Sequence, residues 1–168
     1  DYGENKVQEA IQKWSDIKLK KPNIKLHLIG QLQTNKVKDA IKIFDYIHSV
    51  DSIKLAKKIA DEQHKQNKFV KLFIQVNIGN EEQKFGVKVD QINELIIFSK
   101  KLKLNVIGLM CIPPVNESPD EYFREIKILN KKFNLKEISM GMSSDYLKAV
   151  ENSSTYLRIG SSIFGQRS

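Results

Sequence analysis

The chain alternates from end to end between two hydrophobic periods, and this alternation limits its fold more than any single residue does. Residues 5–17 place Val7, Ala10, Ile11, Trp14 and Ile17 at helical spacing. Pro22-Asn23 punctuates the chain, and LHLIGQL (26–32) is a nearly continuous apolar run of the kind a buried strand shows. Thr34 is placed to cap a helix over 35–43 that turns Val37, Ala40 and Ile41 inward. A short strand is expected at 46–50, and Asp51 or Ser52 is placed to cap a helix to about residue 66 with Ile53, Ala56, Ile59 and Ala60 on one face. The clearest strand is KLFIQVNI (71–78), rich in β-branched and aromatic residues, and GNEEQKFG (79–86) reads as a loop. Asp90 is placed to start a helix through 101, and VIGLMCI (106–112) is a strand stopped by Pro113-Pro114. Pro119 marks the start of a helix over 120–132. EISMGM (137–142) is strand-like, 144–151 is a short helix, and YLRIGSSIFG (156–165) is a last strand running into a glycine-bearing turn.

Strands and helices that alternate with short connections imply parallel strands joined by right-handed helical crossovers. Both a (β/α) barrel and an open doubly wound sheet satisfy that pattern, and periodicity does not separate them. No glycine-rich dinucleotide fingerprint follows the first apolar strand, which weakens the doubly wound alternative.

The 168 residues suffice for one domain around one core. No apolar run approaches the roughly 18–20 residues of a membrane helix, and the opening DYGENKVQEA has no signal-peptide pattern. Cys111 is the sole cysteine, so an internal disulfide is excluded and a reducing, cytoplasmic setting is expected. The net charge of +8 raises nucleic acid or an acidic membrane as partners. The lysines are scattered, however, and often stand beside acids, as on a solvated surface. The chain opens on Asp1 rather than on Met, which suggests that something upstream has been removed.

Four segments carry a resemblance: GENKVQEA (3–10), HLIGQLQTNK (27–36), SMGMSSD (139–145) and LRIGSSIFGQR (157–167). HSVDS (48–52), QVNIGNEEQKFGV (75–87) and GLMCIPP (108–114) match between them by type and order. Together they resemble the pyridoxal phosphate homeostasis family. The resemblance implies a (β/α)₈ TIM-type barrel of the alanine racemase N-terminal kind, with pyridoxal 5'-phosphate at the mouth formed by the carboxyl ends of the strands. DYGEN would end the second strand of the full barrel, and YLRIGSS would be the eighth. In the family the first strand ends in an AVSK-type motif whose lysine forms the Schiff base with the cofactor. No such motif occurs here, so the first βα unit and its lysine are expected upstream of Asp1. A barrel without that unit would have open edges on its second and eighth strands, and lower stability or association through them is expected.

The function implied is that of a cofactor carrier or regulator without established catalytic turnover, with a small-molecule cofactor, no nucleic acid, no membrane, and a monomeric state when complete. The alternative is a racemase- or decarboxylase-like enzyme of the same fold, which needs the lysine and a facing acid–base group. A basic nucleic-acid module would need its lysines clustered on one face among aromatics.

Several residues are candidates for the site. Arg158 stands two residues before Gly160, so their side-chain positions share one face of a strand. The resemblance turns Arg158 toward the pyridine nitrogen, where an arginine can only donate, which keeps that nitrogen unprotonated. It also assigns the phosphate to Gly160 and Ser161, since a glycine lets backbone N–H groups approach closely. A glycine needed only for a tight turn is the simpler reading. Met142 and Ser143 are placed at the cofactor by resemblance, while Ser143 or Ser144 could equally cap the following helix. Asn5 is implied to contact the cofactor or its lysine. His27 reads as an isolated core histidine, and His48 and His64 show no metal-ligand spacing. Cys111 reads as a small core residue rather than a nucleophile. Lys36 and Lys84 fall in matched segments, and either could meet a free aldehyde.

Overall fold

The computed structural model describes residues 1–165, so the Gln166-Arg167 end of the last matched motif lies outside the described residues. Seven strands alternate with helices: β1 (Tyr2–Glu4), α1 (Val7–Lys20), β2 (Leu26–Leu28), α2 (Val37–Ile43), β3 (Tyr46–Val50), α3 (Ile53–Gln66), β4 (Lys71–Val76), α4 (Ile92–Lys101), β5 (Val106–Cys111), α5 (Asp120–Lys132), β6 (Glu137–Met142), α6 (Tyr146–Glu151), β7 (Tyr156–Arg158) and α7 (Ser161–Phe164). All neighbours pair in parallel and the strand order follows the chain, with β1 and β7 as the two edges.

A strand order that never reverses decides between the two architectures that periodicity left open. The sheet also curls. In a flat sheet β2 and β7 would stand about 24 Å apart, at ~4.8 Å per strand. Instead the rings of His27 on β2 and Tyr156 on β7 have centroids 5.8 Å apart. The chain therefore forms a nearly closed parallel barrel rather than an open sheet.

Period-two alternation sorts the strand residues onto two surfaces. Leu26, Leu28, Ile47, Leu72, Ile74 and Leu109 point outward into the main core beneath the helices. Tyr46, Phe73 and Met110 form a smaller cluster with Tyr156, and the rings of Tyr46 and Phe73 lie close to Tyr156 across the barrel interior. The outer core explains why amphipathic helices form here. The buried faces of α3 (Leu55, Ala56, Ile59, Ala60) and α5 (Phe123, Ile126) recur at three and four residues.

Local signals fared unequally. Ser52 caps α3 as expected, accepting the Leu55 N–H at 3.4 Å, and Asn67 ends it in the left-handed conformation. Thr34 does not cap, and the helix expected to start at Asp90 begins at Ile92. Thr34 and Asp90 each lie within a single 3-10 turn that leads into α2 or α4. Strands β2 and β4 end at Leu28 and Val76, earlier than their apolar runs. The excess residues Leu32 and Ile78 are still buried, but in loops over the strand ends. The last strand ends at Arg158 and gives way to the one-turn α7. No helix among the described residues is long and apolar enough to cross a membrane.

Candidate functional site

Arg158 is the last residue of β7, and its side chain turns into the barrel. One terminal guanidinium nitrogen donates to Ser139 Oγ at 2.9 Å, and the other donates to the Cys111 carbonyl at 2.9 Å. Three adjacent strands thus converge on one cation. Burial lowers its pKa, countered in part by Cys111 and Asp145, and an arginine stays charged even so. Burial also pushes the Cys111 thiol up to about 12, so it remains a neutral core group.

Ser139 is fully buried and also meets His48, whose Nδ1 lies 2.8 Å from Oγ. His48 Nε2 lies 3.0 Å from His27 Nδ1, and His27 Nε2 lies 3.2 Å from an Asp1 carboxylate oxygen. A file of polar groups therefore crosses an otherwise aromatic interior. His27 stacks on Tyr46 at 4.1 Å and His48 on Phe73 at 4.3 Å between ring centroids. Burial above all, with Lys71 adding to it, lowers His27 to about 4. Burial, then His27 and Arg158, holds His48 well below its ordinary value. His27 is accordingly not an isolated core histidine: the curl of the sheet joins it to His48. His64 is elsewhere, edge-on to Phe69. Among the described residues no group of three or more His, Cys, Asp or Glu side chains is placed to hold a metal.

Beside Arg158, Met142 ends β6 and is its register partner. The register shifts just before it, where Gly141 takes φ +93° against Ala149, a conformation and a space that exclude a side chain. The Met142 N–H donates to Asp145 Oδ1 at 2.6 Å, which closes the turn after β6. Neither Ser143 nor Ser144 caps α6, whose N-cap position belongs to Asp145. Ser143 reaches sideways instead, its Oγ accepting the Ser162 N–H at 3.4 Å. The loop after β6 and the start of α7 are thereby brought together.

Gly160 and Ser161 are exposed at that junction. A Cβ at Gly160 would meet no atom within 4 Å, and its φ is −124°. The backbone here does not require a glycine, so the tight-turn explanation fails on geometry. Asn5 lies at the far edge of the sheet in strand order, just after β1. Its backbone packs so closely on Gly30 that a Cβ there would fall 2.2 Å from the Asn5 carbonyl oxygen. Asn5 lines a hollow of about 390 Å³ with Gln31, Gln33 and Lys36. Lys84 is tied down, 2.6 Å from Glu81 and donating to the Pro113 carbonyl at 3.1 Å.

Arg158, Met142, Ser143, Gly160 and Ser161 thus gather at one mouth of the barrel, past the carboxyl ends of β6 and β7, where barrels of this kind place their sites. Sequence reasoning missed Ser139 and His48. Their signal was a polar residue at an inward-facing position of a mostly apolar strand.

The fold and the sequence are matched by known proteins. The model of the alanine racemase N-terminal domain matches residues 1–168. A pyridoxal phosphate homeostasis protein of Aquifex aeolicus is 40% identical over 99% of this chain and 76% of its own length. The structure of PipY from Synechococcus elongatus without PLP superposes with a TM-score of 0.90 at 34% identity, covering 97% of this chain and 80% of that one. PipY with PLP bound superposes with a TM-score of 0.86 at 33% identity over the same shares of the two chains. The fold is that of an alanine racemase N-terminal-type barrel, and within that class the chain belongs to the pyridoxal phosphate homeostasis protein family.

Proposed function

We propose that this protein binds pyridoxal 5'-phosphate at the mouth beyond β6 and β7, and serves as a carrier or regulator of the cofactor rather than as a catalyst. The observation that carries this reading is Arg158, a permanent cation held from inside the barrel by Ser139 and the Cys111 carbonyl. Two of its five N–H groups are committed there, and the rest remain for a ring-nitrogen acceptor. The name of the curated relatives and the PLP-bound structure of PipY support the same ligand.

The residues present fit the cofactor. Gly160, where the fold itself needs no glycine, and Ser161 would hold the phosphate, with Ser143 and Met142 closing the side formed by the loop after β6. Asn5 would approach from the β1 side. Bound pyridoxal phosphate supplies an electron sink, and a donor-only arginine at its ring nitrogen keeps that sink weak, which suits a carrier. On this reading residues 1–168 are one domain, cytoplasmic and monomeric when complete, with no nucleic-acid partner, and the anchoring lysine stands upstream of Asp1.

The test is a pyridoxal phosphate titration followed by absorbance, with Arg158→Ala alongside to discount adventitious reaction with surface lysines. Saturable binding that the substitution weakens by about tenfold or more is expected for a lost charged hydrogen bond. No saturable binding, or equal binding by both proteins, would overturn the reading.

A further inference from the structure

The polar file behind Arg158 has a direction, and its chemistry fixes that direction. An arginine can only donate, so Ser139 Oγ accepts at that bond. The Ser139 hydroxyl is fully buried, and its proton needs an acceptor. Among the described residues the one acceptor placed for it is His48 Nδ1, at 2.8 Å. An imidazole that accepts at Nδ1 while neutral carries its proton on Nε2, which faces His27 Nδ1 at 3.0 Å. His27 in turn accepts at Nδ1 and donates from Nε2, toward the Asp1 carboxylate. The reverse direction would strand the Ser139 proton and set the lone pair of His27 Nε2 against a carboxylate oxygen.

We propose that Ser139 and His48 are positioning residues for Arg158: a one-way hydrogen-bond chain from Arg158 through Ser139 and His48 to His27 holds the guanidinium at the ring end of the cofactor site only while both imidazoles are neutral. The proposal rests on the cofactor-binding reading above and adds to it a dependence on protons.

A proton arriving on His48 Nδ1 would turn that nitrogen into a donor. The Ser139 hydroxyl would then have to rotate away, and its oxygen would sit between two cations. Those cations could be no further apart than the two bonds to Ser139 together. Around His48 the neighbours from each packed element make matters worse or are silent. Arg158 on β7 is positive, while His27 on β2, Tyr156 on β7 and Phe73 on β4 bring no anion. Near His27, Asp1 and Asp45 favour the cation, while Lys71 opposes it. Near Arg158, Asp145 is the acidic neighbour, and the Cys111 thiol is uncharged. The least costly response to a proton on His48 is for Arg158 to leave Ser139, and with it the geometry that faces the ring nitrogen.

The experiment measures pyridoxal phosphate affinity between pH 8 and about 4, reaching down to where His27 takes up its proton, for the wild type, Arg158→Ala, Ser139→Ala, His48→Phe and His48→Gln. Phenylalanine keeps the stacking shape against Phe73 but neither accepts nor donates. Glutamine accepts and donates as neutral histidine does and takes up no proton. Ser139→Ala and His48→Phe should weaken binding at pH 8 by about tenfold, as for loss of a charge-assisted hydrogen bond. His48→Gln should restore most of that affinity and lose less affinity in acid than the wild type. The cofactor's own titration cancels in that comparison. If Arg158→Ala weakens binding while Ser139→Ala and His48→Phe bind as the wild type does, the positioning role is wrong and the cofactor reading stands. If His48→Gln follows the wild-type pH profile, the proton dependence is wrong. If Arg158→Ala itself binds normally, the cofactor reading fails and takes this inference with it. Should His48→Phe not fold, Ser139→Ala and His48→Gln decide both points.

Discussion

His27 Nδ1 lies 3.0 Å from His48 Nε2, and both rings are buried inside the barrel. Burial is the largest cause that keeps both neutral, joined at His48 by His27 and Arg158, with His27 down at about 4 and His48 well below its ordinary value. In the unfolded chain both return to about 6.5. From pH 6.5 down to about 4 the unfolded state therefore binds protons that the native state refuses. Stability is fully present above pH 6.5 and falls as the pH drops through that window. The expected slope is about 1.4 kcal/mol per pH unit for each proton withheld. Urea unfolding at pH 7 and pH 5 should show this loss in the wild type and much less of it in the double variant His27→Gln/His48→Gln. Equal losses would place the acid sensitivity elsewhere.

Two glycines should separate folding from binding. A Cβ at Gly30 would meet the backbone of Asn5 at 2.2 Å, and neither segment can swing aside as a flexible side chain does. Gly30→Ala should cost about 1–3 kcal/mol, the range of an overpacked site, and lower the melting temperature. Gly160→Ala meets nothing within 4 Å. It should leave stability within about 0.5 kcal/mol of the wild type while weakening pyridoxal phosphate binding. Thermal melts beside the cofactor titration distinguish the two, and a destabilised Gly160→Ala would return that glycine to a purely structural role.

Asp45, just ahead of β3, joins three elements. Its carboxylate lies 2.6 Å from Lys18 of α1 and accepts the Leu26 N–H of β2 at 2.8 Å. Burial alone would raise its pKa, but the bonds from Lys18 and Leu26 outweigh it and hold the carboxyl below its ordinary value. Its acid loss thus lies below the histidine window. Asp45→Ala should destabilise by about 2 kcal/mol, because it leaves the buried Leu26 N–H unpaired. Asp45→Asn keeps an acceptor there and should cost clearly less. Denaturant midpoints of the two variants measure the difference, and equal costs would assign the effect to the ion pair alone.

Cys111 gives a chemical test of the interior. Its side chain is fully buried and burial drives its thiol up to about 12, so no thiolate is present at neutral pH. A thiol reagent at pH 8 should leave the native protein unmodified and label it once in urea. Rapid native labelling would mean that the barrel opens at β5.

Much of this was legible in the chain, and what was not shares one cause. The strands at 46–50 and 137–142 and the helix closed off by Ser52 stand where periodicity placed them, because alternation and capping act over a few residues. The inward aim of Arg158 came from family likeness alone, since the strand ends at Arg158 and its period-two relation to Gly160 does not hold. The cap expected at Thr34 was not found, because a 3-10 turn there satisfies the first N–H groups through the backbone. The chain of Arg158, Ser139, His48 and His27 was invisible. Ser139 and His48 are 91 residues apart and meet at 2.8 Å. By itself the amino-acid sequence determined the order of elements and their parallel pairing, since these follow from local backbone sterics and hydrophobic period. Only the tertiary structure decided which inward residues touch, because the curl of seven strands, a property of the whole sheet, carries β2 and β3 across to β6 and β7.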